Sequence, residues 1–351
     1  MTNKVYNDVY IKSIANNIRA ALSVSTSYKV SEMATVISSI SDYFNKAYIE
    51  GTLSQYNDNT IEFLDSYAFY CYTSLTTVSF PVCTSIGSSA FGSCSALTTA
   101  SFPACTSIGS YAFANCTSLT SVNFPKCTSI GGSAFSNCRA LTTANFSSCT
   151  TVGNYAFSYC SSLTTVSFPV CTSIGSSAFY SCRALTTASF PACTSIGSFA
   201  FFSCYALTSV NFPKCTTIAD YAFAYCSSLT TVSFPVCTSI GSSAFGSCST
   251  LTTASFPACT SIGSFAFFSC SSLTSVSFPK CTTIRNYAFF RCSSLATIYI
   301  GTSNCTLSNS NAFSNTGIWS DRGSIYVRSS YVTAYKASAQ WTFFSNRIVG
   351  Y

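Results

Sequence analysis

The chain has 351 residues, 48% hydrophobic and only 7% charged, with a formal net charge of +7, 22 cysteines and no histidine. So little charge beside so many Phe and Tyr argues against disorder. Lack of histidine removes Ser-His-Asp and Cys-His catalysis and every histidine-containing metal site. Seven basic residues and one acidic residue between positions 71 and 300 are too sparse for a phosphate-binding stripe, so no nucleic-acid partner is expected.

The first residues, MTNKVYNDVYIKSIANN, lack the apolar run of a secretory signal, and no stretch reaches the length of a membrane helix. The expectation is synthesis in a cytosol and no membrane insertion. Residues 8–23 place Ile11, Ile14, Ile18 and Leu22 on one helical face. A second helix is expected from Ser31 as N-cap, with Met33, Val36, Ile37 and Ile40 on its apolar side. Residues 1–50 therefore read as a helical module or cap. Residues 51–74 read as a degenerate first coil, in which Ala68 and Phe69 fit the later pattern and Cys71 falls one place out of register.

From Cys83 to Cys292 a cysteine stands at every eleventh position, and leucine recurs every 22 residues from Leu75 to Leu295. One unit is LTTVSFPVCTSIGSSAFGSCSA, residues 75–96, whose apolar set is Leu75, Val78, Phe80, Cys83, Ile86, Ala90, Phe91 and Cys94. Val78 and Phe80 alternate with Thr77 and Ser79, which is strand periodicity. All nine prolines follow the Phe80-type residue, where a missing donor ends the strand at a corner. Glycine follows the Ile86-type residue except at Ala219 and Arg285, so no positive φ is expected at that second corner. One coil cannot bury eight apolar side chains alone, whereas stacked coils can. At about 4.8 Å per coil the array over 75–316 is a right-handed, β-strand-rich solenoid roughly 50 Å long.

The pattern L-x-x-[VA]-x-F-x-x-C-x-x-I resembles a leucine-rich repeat with Cys83 in the Asn/Cys ladder position. The block TSIGSSAFGSCSALTTASFP is similar to the BspA-type leucine-rich repeat family of surface and adhesion proteins. That resemblance implies a leucine-rich-repeat solenoid that binds or adheres, with no enzymatic activity and no cofactor. The departures are a 22-residue period, slightly short for the family, and Phe where many members carry Ile. The segment IANNIRAALSVSTSYKVSEMATVISSI resembles a helical module of bacteriophage and prophage tail-associated proteins. Residues 317–351, with SIYVRSSYVTAYKASAQWTFFSNRIVGY, resemble the terminal cap of BspA-type proteins: a last strand and a short helix bearing Tyr335 and Trp341. Ahead of that cap, Cys305, Ala312 and Phe313 slip by two places.

Three readings of the cysteines stand side by side. Inward ladders of free thiols need only that cysteine behaves as a small hydrophobe. Disulfides between coils fit the spacing but not the parallel Cβ vectors, so none is expected. No C-x2-C pair supports a metal site.

With Asp220 the only acid in the array, no catalytic pair of carboxylates is expected. Between coils, variation concentrates at positions equivalent to 88–95, where Tyr, Phe and Arg interrupt Ser, Gly, Ala and Asn. Aromatic area between small residues on a rigid frame is how paratopes bind, and Tyr and Arg are enriched at hot spots. The 89-type residues alternate Ser with Tyr or Phe, which packing of large beside small also explains. The candidate ligand contacts are therefore Tyr180, Arg183, Phe202, Tyr205, Tyr225, Phe268 and Arg291. The residue after proline runs Val82, Ala104, Lys126, then Val170, Ala192, Lys214, then Val236, Ala258, Lys280, a trace of duplication in blocks of three coils.

The resulting expectation is a recognition protein, a phage or prophage tail-associated solenoid that binds a protein or glycan on a cell surface. The alternative is an assembly protein packing against virion proteins or copies of itself, favoured by the nearly uncharged body. Ice binding by the Thr77-x-Ser79 array is a remote third reading, because Asn123, Asn145 and Asn211 interrupt it. Location on a virion, or otherwise on a cell surface, goes with the first.

Overall fold

The computed structural model describes residues 54–351; the two N-terminal helices and the tail-type module expected within residues 1–50 lie outside them. Each coil contributes a longer strand, such as Thr77–Ser79 or Thr165–Ser167, and a two-residue strand, such as Ser85–Ile86 or Ser173–Ile174. Equivalent strands pair in parallel at the repeat offset: Thr77 faces Thr99, and Ile174 faces Ile196. The two-residue strands form one continuous twelve-stranded sheet from Phe63–Leu64 to Thr306–Leu307. The longer strands form an eight-stranded sheet ending at Ser209–Asn211 and a six-stranded sheet beginning at Thr231–Ser233. The protein is thus a leucine-rich-repeat solenoid of stacked 22-residue coils.

Among the described residues no strand forms over the third side of the coil, yet its backbone is regularly hydrogen-bonded. The amides of Ser89, Phe91 and Ser93 donate to the carbonyls of Ser110, Ala112 and Ala114 in the next coil at 2.8, 2.7 and 2.7 Å. Those of Ala90, Gly92 and Cys94 turn back within the coil onto Gly87, Ser89 and Phe91. Alternate amides thus face alternate partners, and residues at the 89- and 93-type positions adopt left-handed φ values, 54° at Ser89 and 62° at Ser93.

Inside run two columns of phenylalanine. Phe157 and Phe179 stack at 5.3 Å and 0°, Phe168 and Phe190 at 5.1 Å and 7°, and Phe168 meets Phe179 edge-on at 6.1 Å and 63°. Offset stacks and edges are the favoured arrangements of ring quadrupoles. Two cysteine columns flank them. In one, Cys105 donates Sγ–H to the Ser107 carbonyl at 3.3 Å; in the other, Cys116 donates to the Phe91 carbonyl at 3.1 Å. The thiol is therefore both a small apolar filler and a donor to a buried carbonyl, which alanine cannot be. On the outside, Thr98 and Thr106 pass hydroxyl bonds to the carbonyls of Thr76 and Thr84. Equivalent threonines continue both ladders in other coils.

The glycine corner is set by close approach. A Cβ on Gly175 would lie 2.6 Å from the Asn154 amide nitrogen and 2.7 Å from the Gly153 carbonyl carbon, with φ outside the left-handed region. Gly175→Ala is therefore expected to cost about 1–3 kcal/mol, read as a lower midpoint in urea at unchanged m-value. An unchanged midpoint would show that the coils separate freely at this corner, as they locally must at Ala219 and Arg285.

At the first described coil, Tyr56 stacks on Phe80 at 5.5 Å and Phe69 on Phe91 at 5.2 Å. Cys71 is exposed, and Tyr72 stands where the ladder would place a cysteine. At the other end, the strand Ser324–Val327 continues the sheet, followed by the helix Val332–Ala337, which carries Tyr335. Trp341 sits just beyond that helix, at the start of a 3-10 turn, with Phe344 edge-on to Phe313 at 5.4 Å. A further strand, Ile348–Gly350, pairs with Ser324–Val327. It was not expected, because three residues carry too little periodicity to read as a strand. Among the described residues no helix is long and apolar enough to cross a membrane.

Candidate functional site

The variable positions lie on the strandless third side, so the repeat itself determines where they sit. Because each coil advances the chain by one sheet spacing, equivalent residues form columns, and side chains 22 residues apart become neighbours. Tyr180 stacks on Phe202 at 5.1 Å and 6°, and Phe202 meets Tyr225 edge-on at 5.2 Å. Tyr159 extends the row, edge-on to Tyr180 at 5.4 Å. Partial burial and the neighbouring Tyr159 phenol raise the Tyr180 pKa. The guanidinium of Arg183 lies over the Tyr205 ring at 5.9 Å, an exposed cation–π pair.

A second group stands farther along the stack. Phe268 stacks on Phe290 at 5.9 Å, and Arg291 lies over Phe290 at 5.3 Å. Between the two groups the coil carries Ser243, Gly246 and Ser247 at the same positions. The seven candidate contacts thus fall into two patches: Tyr180, Arg183, Phe202, Tyr205 and Tyr225 in one, Phe268 and Arg291 in the other. Tyr205, Tyr225, Arg183 and Arg291 are exposed, while Tyr180, Phe202 and Phe268 are half-buried by their neighbours.

The 89-type residues, left aside on packing grounds, belong to the same surface. Tyr155 is 51% exposed and Tyr221 38%. Phe199 stacks on Tyr221 at 4.7 Å and meets Phe202 at 5.5 Å; Phe265 stacks on Tyr287 at 4.9 Å. Their φ values are left-handed: 58° at Tyr155, Phe199, Tyr221 and Phe265, and 57° at Tyr287. Tyr159, Tyr225 and Arg291 also have positive φ, at 61°, 63° and 61°. Bulky side chains pay about 1–2 kcal/mol each in that region, which glycine and asparagine occupy readily. Residue type could not have revealed this, because Tyr and Phe are the wrong residues for such a turn.

Asp220, the one acid of the array, is occupied structurally. Its carboxylate accepts the Ser242 amide at 2.6 Å, as Asn154 Oδ1 accepts that of Ser176 at 2.8 Å. Among the described residues no group of three or more His, Cys, Asp or Glu is placed to hold a metal ion. The ladder thiols are desolvated, which pushes Cys105 and Cys127 up to about 12 and Cys116 and Cys138 well above the ordinary thiol value. Thiols held in that form are poor nucleophiles and poor metal ligands.

The family model described as BspA type leucine-rich repeat region (6 copies) matches residues 38–164, 84–204, 150–258 and 194–319. No curated protein matches significantly. Among solved structures, a leucine-rich repeat protein from Bacteroides ovatus is similar at 21% identity, covering 85% of this chain and 91% of its own, with a TM-score of 0.50. A leucine-rich cell surface protein from Faecalibacterium prausnitzii is 28% identical, covering 83% of this chain and 81% of its own, with a TM-score of 0.46.

Proposed function

Because the chain belongs to the BspA-type leucine-rich repeat family, we propose that it is an adhesion protein whose aromatic row binds a protein on a cell surface. The observation that carries this is the set of exposed aromatics in left-handed conformations, Tyr155, Tyr221 and Phe265. A side chain retained against the backbone preference at repeated positions, and left in solvent, is explained by what it touches outside the chain. The surrounding Ser, Gly and Asn supply adaptable polar contacts, and Arg183 and Arg291 supply anchors of the kind enriched at hot spots. The one acid of the array, Asp220, is engaged by the Ser242 amide and so forms no catalytic pair of carboxylates. Placement on a phage tail would rest on residues 1–50 alone, and recognition by the row does not depend on it.

The test is binding of fluorescently labelled protein to intact cells, before and after surface proteins are shaved with protease. The triple variant Tyr180→Ser, Phe202→Ser, Tyr225→Ser is expected to lose at least about 30-fold in affinity, since one hot-spot aromatic is worth about 2 kcal/mol. Shaving should abolish binding by the parent protein. Parent-like binding by the triple variant would remove the row from the site, and binding that survives shaving would point to a glycan.

A further inference from the structure

Where the repeat slips at its C-terminal end, two ladder thiols are brought together. Elsewhere, neighbouring cysteines of the column stand side by side in parallel register, flanking pairs such as Ser85 and Ser107, and each thiol is directed at its own chain's carbonyl. Cys305 follows Cys281 by 24 residues instead of 22, while the adjoining strand pair, Thr283 with Thr306, is offset by 23. The strands stay parallel across the slip and Cys281 keeps its bond to the Thr283 carbonyl at 3.4 Å, but Cys305 is displaced from its regular place. Cys305 Sγ comes within 3.9 Å of Cys281 Sγ and donates to it, and its contact with the Thr306 carbonyl is a long 3.8 Å.

The cap fixes this pair in place. The Trp341 indole N–H donates to the Cys305 carbonyl at 2.8 Å, and the Cys305 amide donates to the Tyr335 hydroxyl at 3.1 Å. Tyr335 in turn donates to the Thr302 carbonyl at 2.9 Å. The donated Cys305 proton holds the Cys281 pKa below the ordinary thiol value, while Cys305 itself is raised by the same contact. Cys281 departs from the upward direction of the desolvated ladder thiols, and the Sγ–Sγ approach of 3.9 Å is what sets the pair apart from the rest of the column.

We propose that Cys281 and Cys305 form a redox-active pair that a peroxide converts into a disulfide, fastening the capping loop to the last regular coil. The Cys281 thiolate attacks one oxygen of hydrogen peroxide, breaking the O–O bond, forming a sulfenic acid and releasing hydroxide. The Cys305 sulfur then attacks Cys281 Sγ, its proton leaves with the displaced hydroxyl as water, and the S–S bond forms. In sum, two thiols are oxidised by two electrons and one peroxide is reduced to two waters. Peroxide suits a pair this buried because it is small, whereas a bulky disulfide oxidant requires the loop to open first.

The experiment treats the full chain with stoichiometric hydrogen peroxide, blocks remaining thiols after denaturation, and digests with trypsin. Cleavage after Lys280, Arg285, Arg291 and Arg322 leaves Cys281 on peptide 281–285 and Cys305 on peptide 292–322 together with Cys292, and fragment-ion spectra of the joined peptides assign the link to Cys305 rather than Cys292. The expected product is these two peptides joined, formed before any other cross-link and lost on reduction, with a Tm several degrees above the reduced protein. Cys305→Ser should show no peroxide-dependent rise in Tm; if it does not fold, Cys281→Ser serves as the same control. Free alkylation of both thiols after peroxide, or cross-links among the regular ladder cysteines forming as fast, would overturn the proposal. Failure would leave the aromatic row and its partner untouched.

Discussion

Raising the pH from 9 to 11 should unfold the solenoid. Burial pushes Cys105, Cys127, Cys149, Cys193 and Cys215 up to about 12 and Cys237 to about 11. In the unfolded chain these thiols ionise near 9, the ordinary value. Below that pH both states hold the proton and the contribution to stability is complete. Above it the unfolded chain releases protons that the folded chain retains, so stability falls until the folded values are reached. Each thiol withdraws about 1.4 kcal/mol per pH unit. Six together withdraw about 8 kcal/mol per unit, comparable to the whole stability of an ordinary domain. Circular dichroism should therefore show a cooperative loss of structure between pH 9 and 11, reversible under reducing conditions. A solenoid still folded at pH 11.5 would contradict the desolvated ladder.

Phe179→Ala and Tyr180→Ala, adjacent in sequence, should behave oppositely. Phe179 is fully buried and touches four other rings, stacked on Phe157 and Phe201 and edge-on to Phe168 and Phe190. Its removal opens a cavity in a continuous column and is expected to cost about 3–5 kcal/mol. Because each coil is supported by its neighbours alone, the loss divides the stack in two. Tm should fall by roughly 10 °C, with hydrogen exchange quickening first in the coils on either side of Phe179. Tyr180 stands on the outside of the same turn, and its removal should shift Tm by no more than about 3 °C. Equal losses would mean that the outer row is part of the core.

How far the sequence could be read follows from how many copies of each message it contains. The apolar set of residues 75–96 recurs coil after coil, so period and phase together identify the inward positions, and the parallel stack follows because a single coil cannot bury them. The slipped Cys305, Ala312 and Phe313 were legible for the same reason, as departures from a known register. Less was legible where the cause is geometric. Gly175 is required by a backbone 2.6 Å from where its Cβ would stand, which no spacing reveals. The hydroxyl ladders of Thr84 and Thr106 connect atoms one coil apart that sequence separates by 22 residues. The aromatic row was only partly legible. Tyr180, Phe202 and Tyr225 were singled out by variation and the structure places them together, whereas Tyr155, Phe199 and Tyr221 were set aside because their alternation with serine mimics packing. Tyr155 and Tyr221 are exposed, Phe199 is half-buried, and all three have left-handed backbones, features that the alternation with serine does not carry.

The most direct measurement is made on Tyr221→Gly, with Tm and cell binding taken from the same preparation. Glycine relieves the left-handed backbone at φ 58°, worth about 1–2 kcal/mol, and forfeits the stack on Phe199, worth about 0.5–1.5 kcal/mol. If the ring is retained for recognition, the two effects offset, Tm stays within about 3 °C of the parent, and binding falls by tenfold or more. A Tm lowered by about 10 °C with binding intact would show that Tyr221 serves the fold, and the aromatic row would no longer explain what this solenoid holds.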